Sequence, residues 1–333
     1  MKAPAFWWQP SVSPLAAALW PVGAVVGRIA ARRMRQKPAV RLAIPVICIG
    51  NPTVGGAGKT PVALAVAALL SASGRRPVFL TRGYRGRLPG PVVVAAEHTA
   101  ADVGDEALLL ADIAPTVVSR DRGAGGRLAA TLGDVVVMDD GFQNPRLAKD
   151  FAVLVVDAAV GIGNGLVTPA GPLRASFAAH LPTADALALT LGSETGGPVA
   201  ALPPSSLAAH MVRLVPHASR PLDGVAVLAF AGIGRPEKFF AGLAALGAVV
   251  TERHAFGDHA PYDEETAERL LTRAATKGLR LVSTAKDIKR LSAGGEAAGR
   301  LAAETVVVDV EAALPPELSA AILSRVREGP ASP

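Results

Sequence analysis

The sequence predicts an α/β protein in which a doubly wound parallel sheet forms the larger domain and a smaller α/β domain follows. Short, continuously apolar runs such as LAIPVICI, VVVM and FAVLVV alternate with helical segments, which is typical of parallel strands covered on both faces. The first of these runs ends in a glycine-rich turn that leads directly into a helix. With 333 residues, 50% of them hydrophobic, the chain is long enough for two such domains.

The N-terminal segment, residues 1–41, differs from the rest of the chain in charge. It holds seven basic residues and no acid, whereas the remainder holds 27 basic and 28 acidic residues. The net charge of +6 therefore belongs to this segment, and the nearly neutral body argues against nucleic acid as a partner. Cys48 is the only cysteine, which excludes a disulfide framework and a thiol-rich metal site.

An apolar stretch from Val12 to Gly27 follows the aromatic triplet FWW and precedes a cluster of arginines. Its sixteen residues include two prolines and fall short of the roughly 20 needed to cross a bilayer. Aromatic rings and arginines both favour the headgroup region. We therefore expect a helix that lies in the membrane interface. The alternative interpretation is a helix hairpin that is buried against its own domain. A signal peptide is disfavoured because the basic residues follow the apolar stretch.

The elements of the first domain, residues 42–190, follow one another as strand, turn and helix. Its predicted strands lie in LAIPVICIG, RPVFLTRGY, PVVVAA, PTVVS, GDVVVMDDG, FAVLVVDA and ADALALT, and its predicted helices lie at about 61–73 and around DEALLLADI. Residues 191–222 are rich in Gly, Pro, Ser and Ala, which predicts a linker. The second domain, residues 223–333, has predicted strands in GVAVLAFAGI, AVVTERHAF, LRLVSTAKD and TVVVDV, and predicted helices from Pro236 and across EETAERLLTRAATK.

The turn GNPTVGGAGKTP, residues 50–61, is similar to the phosphate-binding loop GxxxxGK[ST]. Its last residues match, but Thr53 stands where the first glycine is expected. Because the turn joins a strand to a helix, its backbone N–H groups can converge on a phosphate at the positive end of that helix. The sequence therefore predicts a P-loop NTPase-like domain that binds nucleotide through Thr53, Val54, Gly55, Gly56, Ala57, Gly58, Lys59 and Thr60.

Acidic residues stand at two other junctions of the first domain. Asp139 and Asp140 follow the strand VVVM, where an acid of a P-loop enzyme holds Mg²⁺ together with the loop hydroxyl, here Thr60. Asp105 and Glu106 begin a predicted helix, a position that the helix dipole alone favours for acids. Phosphoryl transfer also needs a group that orients and deprotonates the acceptor, and Asp105 is a candidate for this role.

The second domain contributes one candidate residue and one candidate loop. His259 lies in FGDHAPY, whose turn-forming residues can aim the ring into a cleft between the domains, although a loop histidine is commonly just solvated. The junction AFAGIGRPEKFF is either a second ligand loop or ordinary turn chemistry.

Two nucleotide-binding classes are disfavoured by their motifs. In the string TAKD, residues 284–287, the lysine stands one place too late for the guanine-reading [NT]KxD of a GTPase. A dinucleotide dehydrogenase would carry GxGxxG, whereas the first loop ends in GKT.

Eight ordered motifs resemble those of the tetraacyldisaccharide 4′-kinase (lipid A 4′-kinase) family: GNPTVGGAGKTP, TRGY, VGDEA, MDDGFQN, LVTPAGPLR, AFAGIGRPEKF, FGDHAPY and TAKD. The resemblance spans about residues 6–310, and the loop of that family likewise reads TVGGxGKT. It implies ATP and Mg²⁺ as cofactors, and transfer of the γ-phosphoryl group to the 4′-hydroxyl of a tetraacyldisaccharide 1-phosphate. It further implies a location at the cytoplasmic face of the bacterial inner membrane, with the membrane surface as a partner and with no nucleic acid or protein partner.

Matched position by position, the resemblance also implies roles for single residues. Asp105, supported by His259, would orient and deprotonate the acceptor, and closure of the two domains would bring the histidine to the site. The implied catalytic residues are Lys59, Asp105, Asp139 and His259. The implied metal ligands are Thr60, Glu106 and Asp140, and the implied substrate contacts are Arg82, Tyr84, Gln143 and Arg174.

Some points stay open at this level. The division of labour between Asp139 and Asp140 is not decided. Ala175 stands where the family has an acid after the leucine-arginine of PAGPLR, and Gly257 stands where proline is common. Two other functions remain: a membrane-associated P-loop ATPase acting on a protein partner, and a non-catalytic membrane scaffold.

Overall fold

A computed structural model describes residues 3–192, 199–291 and 294–329 of the protein. The helices in these ranges are α1 (Pro14–Met34), α2 (Lys59–Ala72), α3 (Ala100–Val103), α4 (Asp105–Ala111), α5 (Arg122–Ala129), α6 (Phe177–His180), α7 (Pro236–Ala245), α8 (Glu264–Lys277), α9 (Ala285–Leu291), α10 (Glu296–Glu304) and α11 (Pro316–Glu328). The strands are β1 (Val46–Gly50), β2 (Pro77–Thr81), β3 (Val92–Val93), β4 (Thr116–Val118), β5 (Val135–Asp139), β6 (Phe151–Asp157), β7 (Ala186–Leu191), β8 (Ala209–Ala218), β9 (Ala226–Ala231), β10 (Val249–Ala255), β11 (Arg280–Thr284) and β12 (Val306–Ala313).

The described strands form one sheet in the order β10-β9-β11-β12-β8-β7-β6-β1-β5-β2-β4-β3. β1 lies between β5 and β6 and is parallel to both, with Ile47 opposite Val137 on one side and Phe151 on the other. The pairings are parallel except between β3 and β4 and between β8 and β12. Parallel neighbours need long crossover connections, which the helices supply. The predicted α/β fold with a large parallel sheet is confirmed.

One strand, β8, joins the two halves of the sheet. It is parallel to β7, with Ala209 opposite Leu187, and antiparallel to β12, with Ala218 opposite Val308. β8 falls within residues 191–222, so this part of the predicted linker is a strand instead; residues 193–198 of that segment lie outside the described residues. Glycine and proline at the flanks of the segment hide the strand in its average composition. The division into domains at these boundaries stays a prediction.

The core beside β1 is covered by two helices that are far apart in the sequence, α2 and α11. Val66 and Leu70 of α2 are fully buried against the sheet, together with Ile47 of β1. Leu318 and Ile322 of the C-terminal helix α11 belong to the same buried cluster. The chain therefore returns from the second half to cover the first, and apolar burial holds α2 rigidly behind the loop that precedes it.

The described helices α3, α5, α6, α9, α10 and α11 are missing from the sequence prediction, and two of them show why. α5 has the sequence RGAGGRLA, whose glycines give it a poor helix propensity. A Cβ on Gly125 would lie 2.6 Å from the Cβ of Ser119, so close packing requires the glycine there. α9 begins inside TAKD, which the sequence predicts as the end of a strand; the strand β11 stops at Thr284.

The N-terminal helix α1 is longer than the apolar stretch that predicts it. Its 21 residues include Pro21 and extend through the arginines to Met34. Gly23 packs so closely that a Cβ would lie 2.5 Å from the carbonyl oxygen of Val167. By length and composition alone, α1 is long and apolar enough to cross a membrane, a test that signal sequences and buried core helices also pass. Only 17% of its most apolar window is buried.

Candidate functional site

The candidate nucleotide loop begins where β1 ends, and its first part is extended. Thr53 pairs with Leu173 in an isolated antiparallel bridge, and the Val54 N–H donates to the carbonyl of Pro172 at 2.8 Å. Thr53 is not among the described residues with a positive φ. The position needs no glycine, because the chain passes it in a conformation that any residue adopts.

The second part of the loop is where glycine is required. Gly55 and Gly58 have φ angles of 111° and 83°, which are unfavourable for other residues. α2 then begins at Lys59, and the Thr190 hydroxyl donates to the carbonyl of Ala57 at 2.9 Å. The N–H groups of the first turn of α2 thus face the loop, as a phosphate site requires.

Behind the loop, the Thr60 hydroxyl donates to Oδ2 of Asp139 at 3.2 Å. Asp139 is fully buried at the end of β5, and its Oδ1 has no hydrogen-bond partner. Burial, together with the negative charges of Glu106 and Asp140, raises the pKa of Asp139 to about 7, against the opposing effect of Lys59. An orphaned carboxylate oxygen beside the loop hydroxyl is what a bound Mg²⁺ would satisfy.

No group of three or more His, Cys, Asp or Glu side chains within the described ranges could hold a metal by itself. Mg²⁺ commonly takes only one or two carboxylates from a protein and completes its shell with water and phosphate oxygens. Thr60 and Asp139 therefore fit a magnesium ion that arrives with a nucleotide.

The neighbouring acid, Asp140, faces a different set of partners. It adopts a φ of 52°, and its two oxygens accept from Nη1 and Nη2 of Arg174 at 2.9 and 3.1 Å. Lys59 Nζ lies 3.9 Å from Oδ1. Burial opposes ionisation of Asp140, but Lys59 and Arg174 outweigh it and lower its pKa to about 2. The geometry thus separates the two acids: Asp139 contacts the loop hydroxyl, and Asp140 contacts cations.

Arg174 and Gln143, predicted as substrate contacts, brace the loop. Arg174 Nε donates to the carbonyl of Thr53 at 3.1 Å, and its Nη1 donates to Gln143 Oε1 at 3.3 Å. Gln143 Nε2 in turn donates to the carbonyl of Asn51 at 2.8 Å and lies 3.1 Å from His180 Nε2. Contact with a substrate stays a prediction for both. Of the other two predicted contacts, Arg82 is exposed and Tyr84 exposes 55% of its surface.

The structure brings together Asp105 and His259, which lie 154 residues apart in the sequence. His259 Nδ1 lies 2.8 Å from Oδ2 of Asp105, and this nitrogen is the donor because the carboxylate can only accept. His259 has a φ of 56°, and its ring meets that of Tyr84 edge to face with centroids 5.5 Å apart. Burial opposes ionisation of Asp105, but His259, Lys286 and Arg290 outweigh it and lower its pKa.

Two cations of α9 complete this part of the site, and the sequence reasoning missed both. Lys286 Nζ donates to Glu106 Oε1 at 2.6 Å, and Arg290 Nη1 donates to Asp105 Oδ2 at 2.9 Å. The charge of Lys286 lowers the pKa of Glu106 despite its burial. The sequence does contain a pattern that could have predicted them. Lys286 and Arg290 are four residues apart and therefore share one face of a helix that begins within TAKD.

Three further cations are held by contacts within the fold. Arg122 of α5 is buried, donates to the carbonyl of Ser119 and has an unpartnered Nε; burial lowers its pKa to about 10. In the second-half junction, Arg235 and Lys238 both pair with Asp157 at the end of β6, and Arg235 lies 4.3 Å from the ring centre of Trp8. The junction thus forms ion pairs across the two halves of the sheet.

The fold and the site together define a class of protein. A glycine loop between a parallel strand and a helix, a loop lysine, and a buried acid on the loop hydroxyl are the parts of a P-loop phosphotransferase or ATPase. The same half also holds the carboxylate of a carboxylate and imidazole pair, a type of pair that can remove a proton from an acceptor.

Comparison with known proteins identifies the family. The tetraacyldisaccharide-1-P 4′-kinase family (LpxK) matches residues 15–327. The tetraacyldisaccharide 4′-kinase of Methylobacterium sp. strain 4-46 is 49% identical over 331 residues, covering 98% of this chain and 97% of that protein. An enzyme of the same name from Methylorubrum extorquens is 51% identical over 296 residues, covering 88% and 90%. The chain belongs to the tetraacyldisaccharide-1-P 4′-kinase family.

A solved structure agrees with this assignment. The crystal structure of the "apo" form of LpxK from Aquifex aeolicus in complex with ATP has a TM-score of 0.70 and 26% identity, covering 94% of this chain and 99% of that one. The protein is accordingly an ATP-dependent kinase of lipid A biosynthesis.

Proposed function

We propose that the protein transfers the γ-phosphoryl group of ATP to the 4′-hydroxyl of a tetraacyldisaccharide 1-phosphate, with Asp105 and His259 handling the acceptor. The observation that carries this proposal is the 2.8 Å contact between Asp105 and His259, formed by opposite halves of the fold. Asp105 is linked to the phosphate loop through its neighbour Glu106: the charges of Lys286 and Lys59 lower the pKa of Glu106, that of Asp105 raises it, and Glu106 in turn raises the pKa of Asp139.

In this proposal the phosphate loop binds and orients the donor. The N–H groups from Gly55 to Thr60 and the ammonium of Lys59 face the β- and γ-phosphates, where they neutralise the charge that spreads over the oxygens. Thr60 and Asp139 are the residues that would hold Mg²⁺, which would supply positive charge to stabilise the phosphate oxygens. Asp140 and Arg174 keep the loop lysine and the loop backbone in place.

The transfer itself forms one P–O bond and breaks another. The 4′-oxygen attacks the γ-phosphorus, the bond to the β,γ-bridging oxygen breaks, and ADP leaves with the electron pair. The hydroxyl proton passes to the ionised carboxylate of Asp105, whose orientation His259 fixes by donating from Nδ1. Because the transition state is loose, a carboxylate of low basicity suffices for this step.

We further propose that α1 lies at the cytoplasmic face of the inner membrane. Leu15, Val22, Val25 and Ile29 share one face of α1 and are each more than half exposed, and arginines follow at its C-terminal end. Such a helix suits an interface that holds an acceptor with four acyl chains. Val25→Glu should weaken sedimentation with anionic vesicles, whereas Val249→Glu, which alters an equally exposed valine on β10, should not. Equal binding of both variants to the vesicles would contradict the proposal that α1 contacts the membrane.

The central test is incubation of the protein with ATP, Mg²⁺ and the acceptor in detergent, followed by mass spectrometry for one added phosphate. Asp105→Ala and His259→Ala should reduce turnover strongly and leave ATP binding intact, because neither residue touches the loop. ATP hydrolysis that persists without acceptor, with no phosphorylated lipid formed, would instead identify an ATPase.

A further inference from the structure

Arg290 of α9 meets the proposed catalytic pair from the second half of the fold. Its side chain is 7% exposed and that of Asp105 is 3% exposed. Arg290 Nη1 donates at 2.9 Å to Oδ2 of Asp105, the same oxygen that accepts from His259 Nδ1. Two donors on one carboxylate oxygen leave that carboxylate little freedom to rotate.

Arg290 also contacts the backbone that holds the histidine. Its Nη2 donates at 3.0 Å to the carbonyl of Gly232, which accepts the His259 N–H at 2.9 Å as well. A Cβ at Gly232 would lie 3.0 Å from Nη2, so the glycine leaves room for the guanidinium. A single planar group therefore bridges the carboxylate of Asp105 and the carbonyl on which the loop of His259 is fixed.

The guanidinium is itself held in place. Arg290 donates to Asp287, a fully buried carboxylate that also accepts the Tyr262 hydroxyl at 2.6 Å and the Gly232 N–H at 2.8 Å. Buried charges persist when they are paired and hydrogen-bonded in this way. The position of Arg290 is thus set by Asp287 of α9, by Gly232 directly after β9, and by the Tyr262 ring, whose centre lies 5.8 Å from its Cζ, before any substrate binds.

We propose that Arg290 is a positioning residue, which fixes Asp105 and the His259 loop relative to each other in the geometry that removes the acceptor proton. The proposal rests on the proposed function of the Asp105 and His259 pair. A lysine is no substitute, because an ammonium is a point donor and cannot span two acceptors with a rigid fork. Arg290 contacts neither the phosphate loop nor Asp139 and Asp140. Its effect should therefore fall on the chemical step and not on nucleotide binding.

The kinetic test compares Arg290→Met, Arg290→Lys and Lys289→Met in the full chain with ATP, Mg²⁺ and the lipid acceptor. Lys289 is the matched control, because it is a neighbouring cation of α9 that pairs with Asp112 instead of Asp105. Arg290→Met should lower kcat about 100-fold, the size of effect that misplacement of a reacting group produces. KM for ATP should not change, Arg290→Lys should recover only part of the loss, and Lys289→Met should match the wild type. A raised KM for ATP with an unchanged kcat would overturn the proposal.

A second readout does not depend on activity. Proton NMR should show the Nδ1–H of His259 as a downfield resonance, assigned by its absence in His259→Ala. It should disappear in Arg290→Met and persist in Lys289→Met; an unchanged resonance in Arg290→Met would refute the positioning role. If the wild type forms no phosphorylated lipid, the proposed function fails, and this resonance still decides the role of Arg290. If Arg290→Met does not fold, Arg290→Lys decides: wild-type kcat with a wild-type resonance would contradict the proposal.

Discussion

The Thr60 hydroxyl donates a hydrogen bond of 3.2 Å to Oδ2 of Asp139, whose other carboxylate oxygen is buried without a partner. The adjacent Asp140 is held by two nitrogens of Arg174 instead. Two acids that are equivalent in sequence are therefore different in structure: Asp139 contacts the loop hydroxyl and Asp140 contacts cations, while metal binding by Asp140 and Glu106 stays a prediction.

Asp139→Asn should abolish most of the Mg²⁺ dependence of catalysis, because it removes the charge that faces the metal. A metal ion contributes several kcal/mol to charge stabilisation, so turnover should fall by at least about 100-fold. Asp140→Asn should instead leave the Mg²⁺ titration midpoint unchanged and alter the KM for ATP. Titration of activity with Mg²⁺ measures the metal dependence of both variants. A midpoint that shifts only in Asp140→Asn would assign the metal to Asp140 and not to Asp139.

Lys59→Ala should weaken ATP binding by about 10- to 100-fold, the value of one hydrogen bond between charged groups. The lysine lies at the first residue of α2, where its ammonium and the helix N–H groups act on the same phosphates. Thermal denaturation with and without MgATP measures the effect. Lys289→Ala, a lysine of α9 paired with Asp112, serves as the control and should retain the full stabilisation by MgATP.

Arg174→Gln should raise the KM for ATP about tenfold or more, through loss of charge-assisted hydrogen bonds. Without the guanidinium, Asp140 keeps Lys59 as its nearest cation and draws it away from the phosphates, and the Thr53 carbonyl loses its donor. Steady-state kinetics with each substrate varied separates this role from direct contact with the acceptor. A change confined to the KM for the lipid would support the substrate contact that the sequence predicts.

His180 should make the protein less stable in acid. Burial lowers its pKa from 6.5 to about 4, against a hydrogen bond to the Ser176 carbonyl that raises it. The folded state therefore binds fewer protons than the unfolded state between these pH values, so stability present above pH 6.5 is lost as the pH falls towards 4. The loss from this residue is on the order of 3 kcal/mol. His180→Phe should flatten this part of the dependence of unfolding free energy on pH, measured by urea denaturation; an unchanged slope would assign it to other groups.

Much of the candidate site was predictable because its parts are local. The glycine loop, its lysine and hydroxyl, and the acids at the end of VVVM are fixed by a strand followed by a turn and a helix, a pattern that lies within a few residues. The start of the loop was less predictable. Only the structure shows that Thr53 pairs with Leu173, more than a hundred residues later, and so needs no glycine.

What the sequence by itself determined is the α/β architecture, the phosphate loop and, through eight ordered motifs, the family. The tertiary structure alone decided which acid faces Thr60, and that Lys286 and Arg290 reach the acids of α4. The physical reason is range. Strand and helix periods and turn chemistry are set by neighbouring residues, whereas charge pairing across the halves of the sheet depends on where β8 places β12 and the elements beyond it. Arg290 and Asp105 meet across 185 positions of sequence, a separation that no local pattern records.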